Sequence, residues 1–460
     1  YPKLEIEGGA GVGAGVRPHK ISINNYYYPE NPEAGIDLFL EKLVQETEKE
    51  HEDILEQADE TDAMFGELYS WYLRNPEYRS RVQKLVQSAF AGKPEDIISQ
   101  SVAKALYGEV SPYSATRLER FAACAFAHFL QYGMKLTERV EYEFKPMDMG
   151  NVMHEALESF AEEVRKRGMK WTELTEQERN EIADRCLDNI VADYGNTVLK
   201  SSARNEYMIE RTRRILRRTV WALQKQLEQG EFQPEGFEVT FGGGRIDRVD
   251  IMEDQNKVYV KVIDYKTGNT SFDLVYLYHG LQLQLMIYLD GALRVEQKKY
   301  PDKEIIPAGV FYYNIKDPMI QEKIDADVEA VSAGLMKELK MNGLVQADPE
   351  LVYRMDSSLG SIPVAFNKDG SFRKNSSVAD RTQFAVLGRY VRTKIEKIRS
   401  SILEGDAEVS PYELGKKNAC TYCPYMTVCG FDRRLSGYEF RRLKNFSDEE
   451  LWKAFDREAE

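Results

Sequence analysis

The chain has 460 residues, 42% of them apolar, and a formal net charge of −14. That length exceeds the usual single domain and predicts two domains, or one large domain with a helical attachment. No stretch approaches the roughly eighteen consecutive apolar residues of a membrane span, and the acidic balance argues against a general polyanion-coating protein while allowing a local basic patch.

The chain opens Tyr1-Pro2-Lys3, with neither an initiator methionine nor a signal peptide, and reads as a piece of a longer subunit. Residues 7–16, EGGAGVGAGV, fit neither GxxxxGK[ST] nor GxGxxG and read as a flexible connection. From about 36 to 107 the pattern is helical, with Leu38, Leu40, Leu43 and Val44 spaced for one face among many acids. Further helices are predicted from Ser114 through Cys124, from Met149 past Phe160, and on to about 229. The period then changes. Residues 237–251 and 257–265 alternate as strands, with a hairpin turn at Glu253-Asp254-Gln255-Asn256. A helix over 274–294, a strand over 306–314 and a helix over 325–342 follow. Residues 343–380 read as a loop-rich insertion, 380–403 as a helix, and 441–460 as a charged tail. This order predicts a mixed α/β core with helical elaborations.

The chemistry-bearing run is Gly244-Arg245-Ile246-Asp247, then Val262-Ile263-Asp264-Tyr265-Lys266-Thr267-Gly268. Residues two apart on a strand share a face, so Asp264 and Lys266 project together. A carboxylate ending an apolar strand is costly unless paired or coordinated. Asp247, on the neighbouring strand, can converge on Asp264, and two hard oxygen ligands suit Mg²⁺ or Mn²⁺. Lys266 would then face the negative charge of a phosphoryl transition state. A surface ion pair explains any one of these residues; the combination is more specific. His154, near a helix start after Gly150, is either a metal ligand or an ordinary helical histidine. Gln284 and Tyr288 lie four apart on one helical face, either functional or the polar edge of a core helix.

The five cysteines are Cys124, Cys186, Cys420, Cys423 and Cys429. An odd number without a secretory signal reads as intracellular thiols or metal ligands, not a disulfide framework. On spacing alone, Cys420-x2-Cys423-x5-Cys429 with Cys124 fits a structural zinc as well as an iron–sulfur cluster. Cys186 reads as a helical core residue.

Taken together, GRID, IDYKTG, QLMIY and the GxxxHE helix resemble the RecB-type nuclease domain of the PD-(D/E)XK superfamily. The resemblance implies a small mixed sheet flanked by helices, with His154, Asp247 and Asp264 as ligands of Mg²⁺ or Mn²⁺. It also implies Lys266 as the catalytic lysine, and Gln284 and Tyr288 as a pair beside DNA, with Gln282 an equally spelled neighbour. The split cysteines, and Ser114 through Cys124, resemble the iron–sulfur staple of AddB-like subunits of bacterial AddAB helicase–nucleases. Ala125 stands where that family commonly has proline. This second resemblance implies a [4Fe–4S] cluster on Cys124, Cys420, Cys423 and Cys429. It further implies a cytoplasmic heterodimer with an AddA-like subunit, a single-stranded DNA tail as substrate, and hydrolysis of the 5′-terminated strand during recombinational repair. Residues 106–440 would form the nuclease domain and 1–105 the helical end of a preceding helicase-like domain. Arg213, Arg214 and Arg217, in a segment that also holds Arg204, Arg211 and Arg218, read as a phosphate-contacting strip or a solvated face. A free-standing iron–sulfur exonuclease and a catalytically inactive DNA-binding scaffold are the alternative readings.

Overall fold

The computed structural model describes residues 6–8, 16–18, 35–36, 39–40, 60–89, 97–108, 113–137, 146–193, 202–242, 244–320, 327–434 and 437–459. Leu38, Leu43 and Val44, which support a helix near the N-terminus, lie outside them. The chain divides into two compact units. One comprises Tyr1–Ile97, Glu408–Pro411 and Tyr425–Arg441, the other Ile98–Ala407, Tyr412–Pro424 and Arg442–Glu460.

In the first unit, helices α1 (Glu60–Arg74) and α2 (Pro76–Ala89) pack together. The break between them follows from Pro76, which suits a helix start, and from Asn75, whose Oδ1 accepts the Glu77 N–H at 3.1 Å. Leu68, Tyr72 and Val82 gather with Ile36 and Phe39 into a small apolar cluster. Ile6–Gly8 and Val16–Pro18 pair antiparallel around the glycine-rich stretch; residues 9–15 are outside the described set.

The second unit is built on a six-stranded sheet of β1 (Gln233–Phe241), β2 (Gly244–Asp254), β3 (Lys257–Lys266), β4 (Glu304–Asn314), β5 (Asn342–Gln346) and β6 (Val378–Ala379), in that spatial order. β3 pairs parallel to β4, as β5 does to β6, and the other neighbours are antiparallel. The helices are α3 (Gln100–Tyr107), α4 (Ala115–Ala123), α5 (Pro146–Lys166), α6 (Glu176–Asp193), α7 (Ala203–Leu227), α8 (Leu274–Tyr278), α9 (Gln284–Lys299), α10 (Val328–Glu338), α11 (Pro349–Met355), α12 (Arg381–Glu404) and α13 (Asp448–Ala459).

Strand periodicity explains the two helical layers. On β3, Val258, Val260 and Val262 face a core shared with α4, α9, α12 and α13. Tyr259, Ile263 and Tyr265 face the core formed with α5, α6, α7 and α11. A strand covered on both sides tolerates an almost unbroken apolar run, as β3 has.

Several elements depart from the expectation. The stretch 237–251 is two strands, because the chain reverses at the glycine run before β2. The helix expected over 274–294 breaks at Gly280, whose φ of +78° ends α8 and lets α9 start afresh. Residues 343–380 hold most of β5, all of α11 and β6, elements too short to impose a visible period. The charged tail contains α13, whose Leu451, Ala454 and Phe455 are buried. Phe455 meets Tyr278 and Tyr390 at centroid distances of 5.5 and 4.8 Å. Helix α3 runs across the expected boundary at residue 105, belongs to the second unit and packs on α12.

Beneath α5 and α7 the sheet buries a charged triad. Arg248 and Asp250 are two apart on β2, and Lys261 is the register partner of Asp250 on β3. Arg248 Nε and Nη2 donate to Asp250 at 2.6 and 2.9 Å, and Lys261 Nζ lies 2.9 Å from Asp250 Oδ2. Burial alone would push the Asp250 carboxyl up, but Arg248 and Lys261 outweigh it and hold it below its ordinary range. Its contribution to stability is therefore present at neutral pH and is lost as pH falls through and below the carboxylate range. Asp250→Ala leaves buried cations uncompensated and is expected to destabilise the fold by about 3–5 kcal/mol, read by denaturant unfolding.

Candidate active site

The sheet register lines up three acids. β2 and β3 pair Arg248 with Ile263, so the next step sets Asp247 opposite Asp264. β1 and β2 pair Phe237 with Arg248 and Val239 with Ile246, so the step between sets Glu238 opposite Asp247. Asp247 and Asp264 are both buried. Glu238 has φ +49°, a left-handed conformation rare for a non-glycine residue inside a strand.

His154 on α5 closes the row from the helix side. Its Nδ1 is 3.4 Å from Asp247 Oδ2 and 3.8 Å from Glu238 Oε1. Gly150, one turn earlier, has room for a Cβ only at 3.4 Å from Thr267 Oγ1, so the start of α5 lies against the chain leaving β3. His154, Glu238 and Asp247 thus converge as potential metal ligands. Asp247 Oδ2 also accepts the Tyr265 N–H at 2.7 Å, which ties it to β3.

Asp264 is held from the other side. Lys266 Nζ is 2.6 Å from Asp264 Oδ2 and donates to Gln284 Oε1 at 2.7 Å. Gln284 Nε2 in turn donates to the Tyr288 hydroxyl at 2.9 Å. Gln282 turns away. Its Oε1 accepts the Asp273 N–H at 2.9 Å and its Nε2 donates to the Ser271 carbonyl at 2.8 Å, so it fastens the loop before α8. The two glutamines are therefore not equivalent, and Gln284 is the one that meets Lys266.

The electrostatics reflect crowded negative charge. Burial, and then the neighbouring Asp247, push the Asp264 carboxyl up to about 7, with Lys266 pulling against them. Burial would lower His154, yet Asp247 and Glu238 together raise it to about 10. Two groups here escape a reading of the sequence. Glu238 gives no signal in the strand pattern, since its left-handed backbone cannot be read from residue types. Glu119 on α4 is the other: its Oε1 accepts the N–H groups of Leu283 and Gln284 at 2.7 and 2.9 Å. Burial pushes its carboxyl up to about 7. A trace was visible, because Glu119 falls within the apolar stripe of Ala115, Leu118 and Ala122.

The remaining expected residues lie elsewhere. Cys124, buried, follows the last residue of α4; Cys186 is buried on α6; Cys420, Cys423 and Cys429 are partly exposed. The arginines of α7 meet acids: Arg213 pairs with Asp184, Asp188 and Glu210, Arg214 with Asp317, and Arg217 with Asp184.

Residues 112–430 match the model of the PD-(D/E)XK nuclease superfamily, and the chain belongs to that superfamily. It is similar to an ATP-dependent helicase/deoxyribonuclease subunit of Lachnoclostridium phytofermentans, with 41% identity over 425 residues, covering 87% of this chain and 36% of the relative. The subunits of the same name from Thermoanaerobacter sp. (strain X514) and Clostridium acetobutylicum are 34% and 33% identical, each over 87% of this chain and 37% and 36% of the relative. The chain thus spans little more than a third of the length of these relatives. No helix among the described residues is long and apolar enough to cross a membrane.

If Glu238 shares a cation with His154 and Asp247, Glu238→Ala should weaken Mn²⁺ binding by about tenfold or more, measured by calorimetric titration. Unchanged Mn²⁺ affinity would reduce Glu238 to a partner of Arg245, whose Nε forms an ion pair with it.

Proposed function

We propose that this chain is the metal-dependent DNA nuclease module of an ATP-dependent helicase–nuclease subunit. The observation that carries the reading is the row Glu238, Asp247 and Asp264 on adjacent strands, flanked by His154 and Lys266. Carboxylate oxygens with one imidazole suit Mg²⁺ or Mn²⁺. The residues fit such an ion, since Asp247 and Glu238 together hold His154 as a cation even though Arg245 also pairs with Glu238, so the two carboxylates draw positive charge to this place. His154, Asp247 and Asp264 would hold the ion, with Glu238 beside them. A bound ion would supply an activated water and offset charge on the scissile phosphate. Lys266 brings an ammonium to the same place, and Gln284 fixes its direction. Tyr288, joined to Gln284, would line the path of the DNA.

The substrate we assign is a single-stranded DNA tail from an unwound end, cut on its 5′-terminated strand during recombinational repair. Support comes from the resemblance to AddB-like subunits and from relatives named as helicase/deoxyribonuclease subunits. The same support implies a heterodimer with an AddA-like subunit carrying the ATP motor. Arg214 and Arg217 are the more exposed members of the arginine strip and, with Arg213, would contact phosphates by exchanging an acid for a phosphate oxygen.

We further propose a [4Fe–4S] cluster on Cys124, Cys420, Cys423 and Cys429. Four thiols suit an iron–sulfur centre, and the Phe431 N–H donates to Cys429 Sγ at 3.5 Å, the kind of bond that stabilises a thiolate. Two of the cysteine-bearing segments also reach one stretch of chain, 274–280. Ala122 Cβ, two residues before Cys124, is 3.2 Å from where a Cβ on Gly280 would stand. Lys417 Nζ, three residues before Cys420, lies 5.3 Å from the centre of the Tyr276 ring. Closing so long a loop would stabilise the domain by roughly 4–5 kcal/mol on the chain-entropy model for disulfides, and would couple folding to cluster assembly.

Two experiments test these readings. With Mg²⁺ and end-labelled single-stranded DNA, Asp264→Ala should abolish cleavage while DNA binding persists. Lys266→Ala should lose rate with little loss of metal affinity, because the ammonium acts on the transition state. Wild-type cleavage by Asp264→Ala would overturn the metal assignment, and a parallel loss of metal affinity in Lys266→Ala would make that lysine structural. For the cluster, anaerobically purified Cys124→Ala should lose iron, sulfide and visible absorbance and melt at lower temperature, whereas Cys186→Ala should keep all four. Full iron content in Cys124→Ala, or zinc in place of iron in the unaltered protein, would overturn the cluster.

A further inference from the structure

Helix α9 lacks an N-terminal cap of its own. The residue in the cap position is Leu283, whose side chain accepts no hydrogen bond. The missing acceptor comes from another helix: Glu119 on α4 takes the N–H groups of both Leu283 and Gln284 on a single oxygen. A carboxylate at a helix N-terminus satisfies orphan donors and complements the dipole. Even partial burial of that carboxylate is costly without those bonds.

The residue anchored in this way matters. Gln284 is the first residue of α9, and its side chain is the one that receives Lys266 Nζ. Lys266 in turn meets Asp264. A continuous set of contacts therefore runs from α4 through Glu119, the backbone and side chain of Gln284, and Lys266 to Asp264. Cys124 lies five residues beyond Glu119, just past the end of the same helix.

We propose that Glu119 is a positioning residue of the nuclease centre, which anchors the first turn of α9 and through Gln284 sets Lys266 against Asp264. The proposal rests on the nuclease reading above. It also gives the cysteine-bearing helix a direct mechanical link to the catalytic lysine.

The test compares Glu119→Ala and Glu119→Gln in the full chain, under single-turnover conditions with Mg²⁺ and end-labelled single-stranded DNA. A lysine displaced by about 1 Å costs on the order of a hundredfold in rate, and a loss approaching that is expected for Glu119→Ala, with DNA and Mn²⁺ affinities retained. Glu119→Gln keeps an acceptor oxygen and should recover most of the rate. Adding Glu119→Ala to Lys266→Ala should slow cleavage no further, since both act through one group. Hydrogen exchange should show the Leu283 and Gln284 amides losing protection in Glu119→Ala and regaining it in Glu119→Gln. If Glu119→Ala does not fold, Glu119→Asp, one methylene shorter, replaces it and should show the same losses in smaller degree. Wild-type rate in Glu119→Ala, or losses that multiply with those of Lys266→Ala, would overturn the proposal while Asp264→Ala remains inactive. Absence of Mg²⁺-dependent cleavage by the unaltered chain would instead remove the nuclease reading and this inference with it.

Discussion

A strand buried on both faces can end in a carboxylate only if something else answers its charge, and the second unit is organised around that demand on β3. The strand carries charge to both of its faces. On one, Asp250 of β2 is answered by Arg248 and Lys261 inside the protein, with bonds of 2.6 to 2.9 Å. On the other, Asp247 and Asp264 stand opposite each other with Lys266 beside them and Glu238 next in line. The first cluster is matched from within. The second is not: Glu238, Asp247 and Asp264 crowd together, and Asp264 is pushed up to about 7 by burial and by Asp247. A site that prefers to take up positive charge is what a divalent ion requires.

Much of this core was legible because its signals are local. The β2–β3 hairpin announces itself by alternation and a turn, and Asp264 and Lys266 share a face by strand geometry alone. Gln284 and Tyr288 follow from helical spacing, and the structure joins them by a hydrogen bond of 2.9 Å. The RecB-type resemblance rested on these residues, and the superfamily match covers them.

What stayed hidden depends on distant partners or on backbone conformations that no residue type declares. Glu238 reaches the row through a positive φ. Glu119 bonds to backbone groups 164 and 165 residues away. Helix α13 is disguised by its acids and lysine, while the apolar face of Leu451, Ala454 and Phe455 is too narrow to stand out in a charged segment. β5 is five residues long, and its burial comes from lying in the sheet beside β4. The arginines of α7 hid their partners in the other direction. Their charge is conspicuous in sequence, yet Asp184, Asp188 and Asp317, remote along the chain, already neutralise much of it.

The same geometry constrains how the site can meet a phosphate. A parallel pair such as β3 and β4 needs a crossover, and here α8 and α9 supply it, with Gly280 redirecting the chain between them. The turn at Gly280 brings the N-terminus of α9 to the end of β3, where Lys266 meets Gln284. A helix start at that place would ordinarily offer free N–H groups to an anion. In this chain two of those groups are already taken by Glu119. Phosphate therefore cannot be held by the amides that Glu119 occupies. Positive charge has to come from Lys266 and from whatever cation the acidic row gathers, so the capped helix shifts anion recognition from the backbone to the groups that would perform the chemistry.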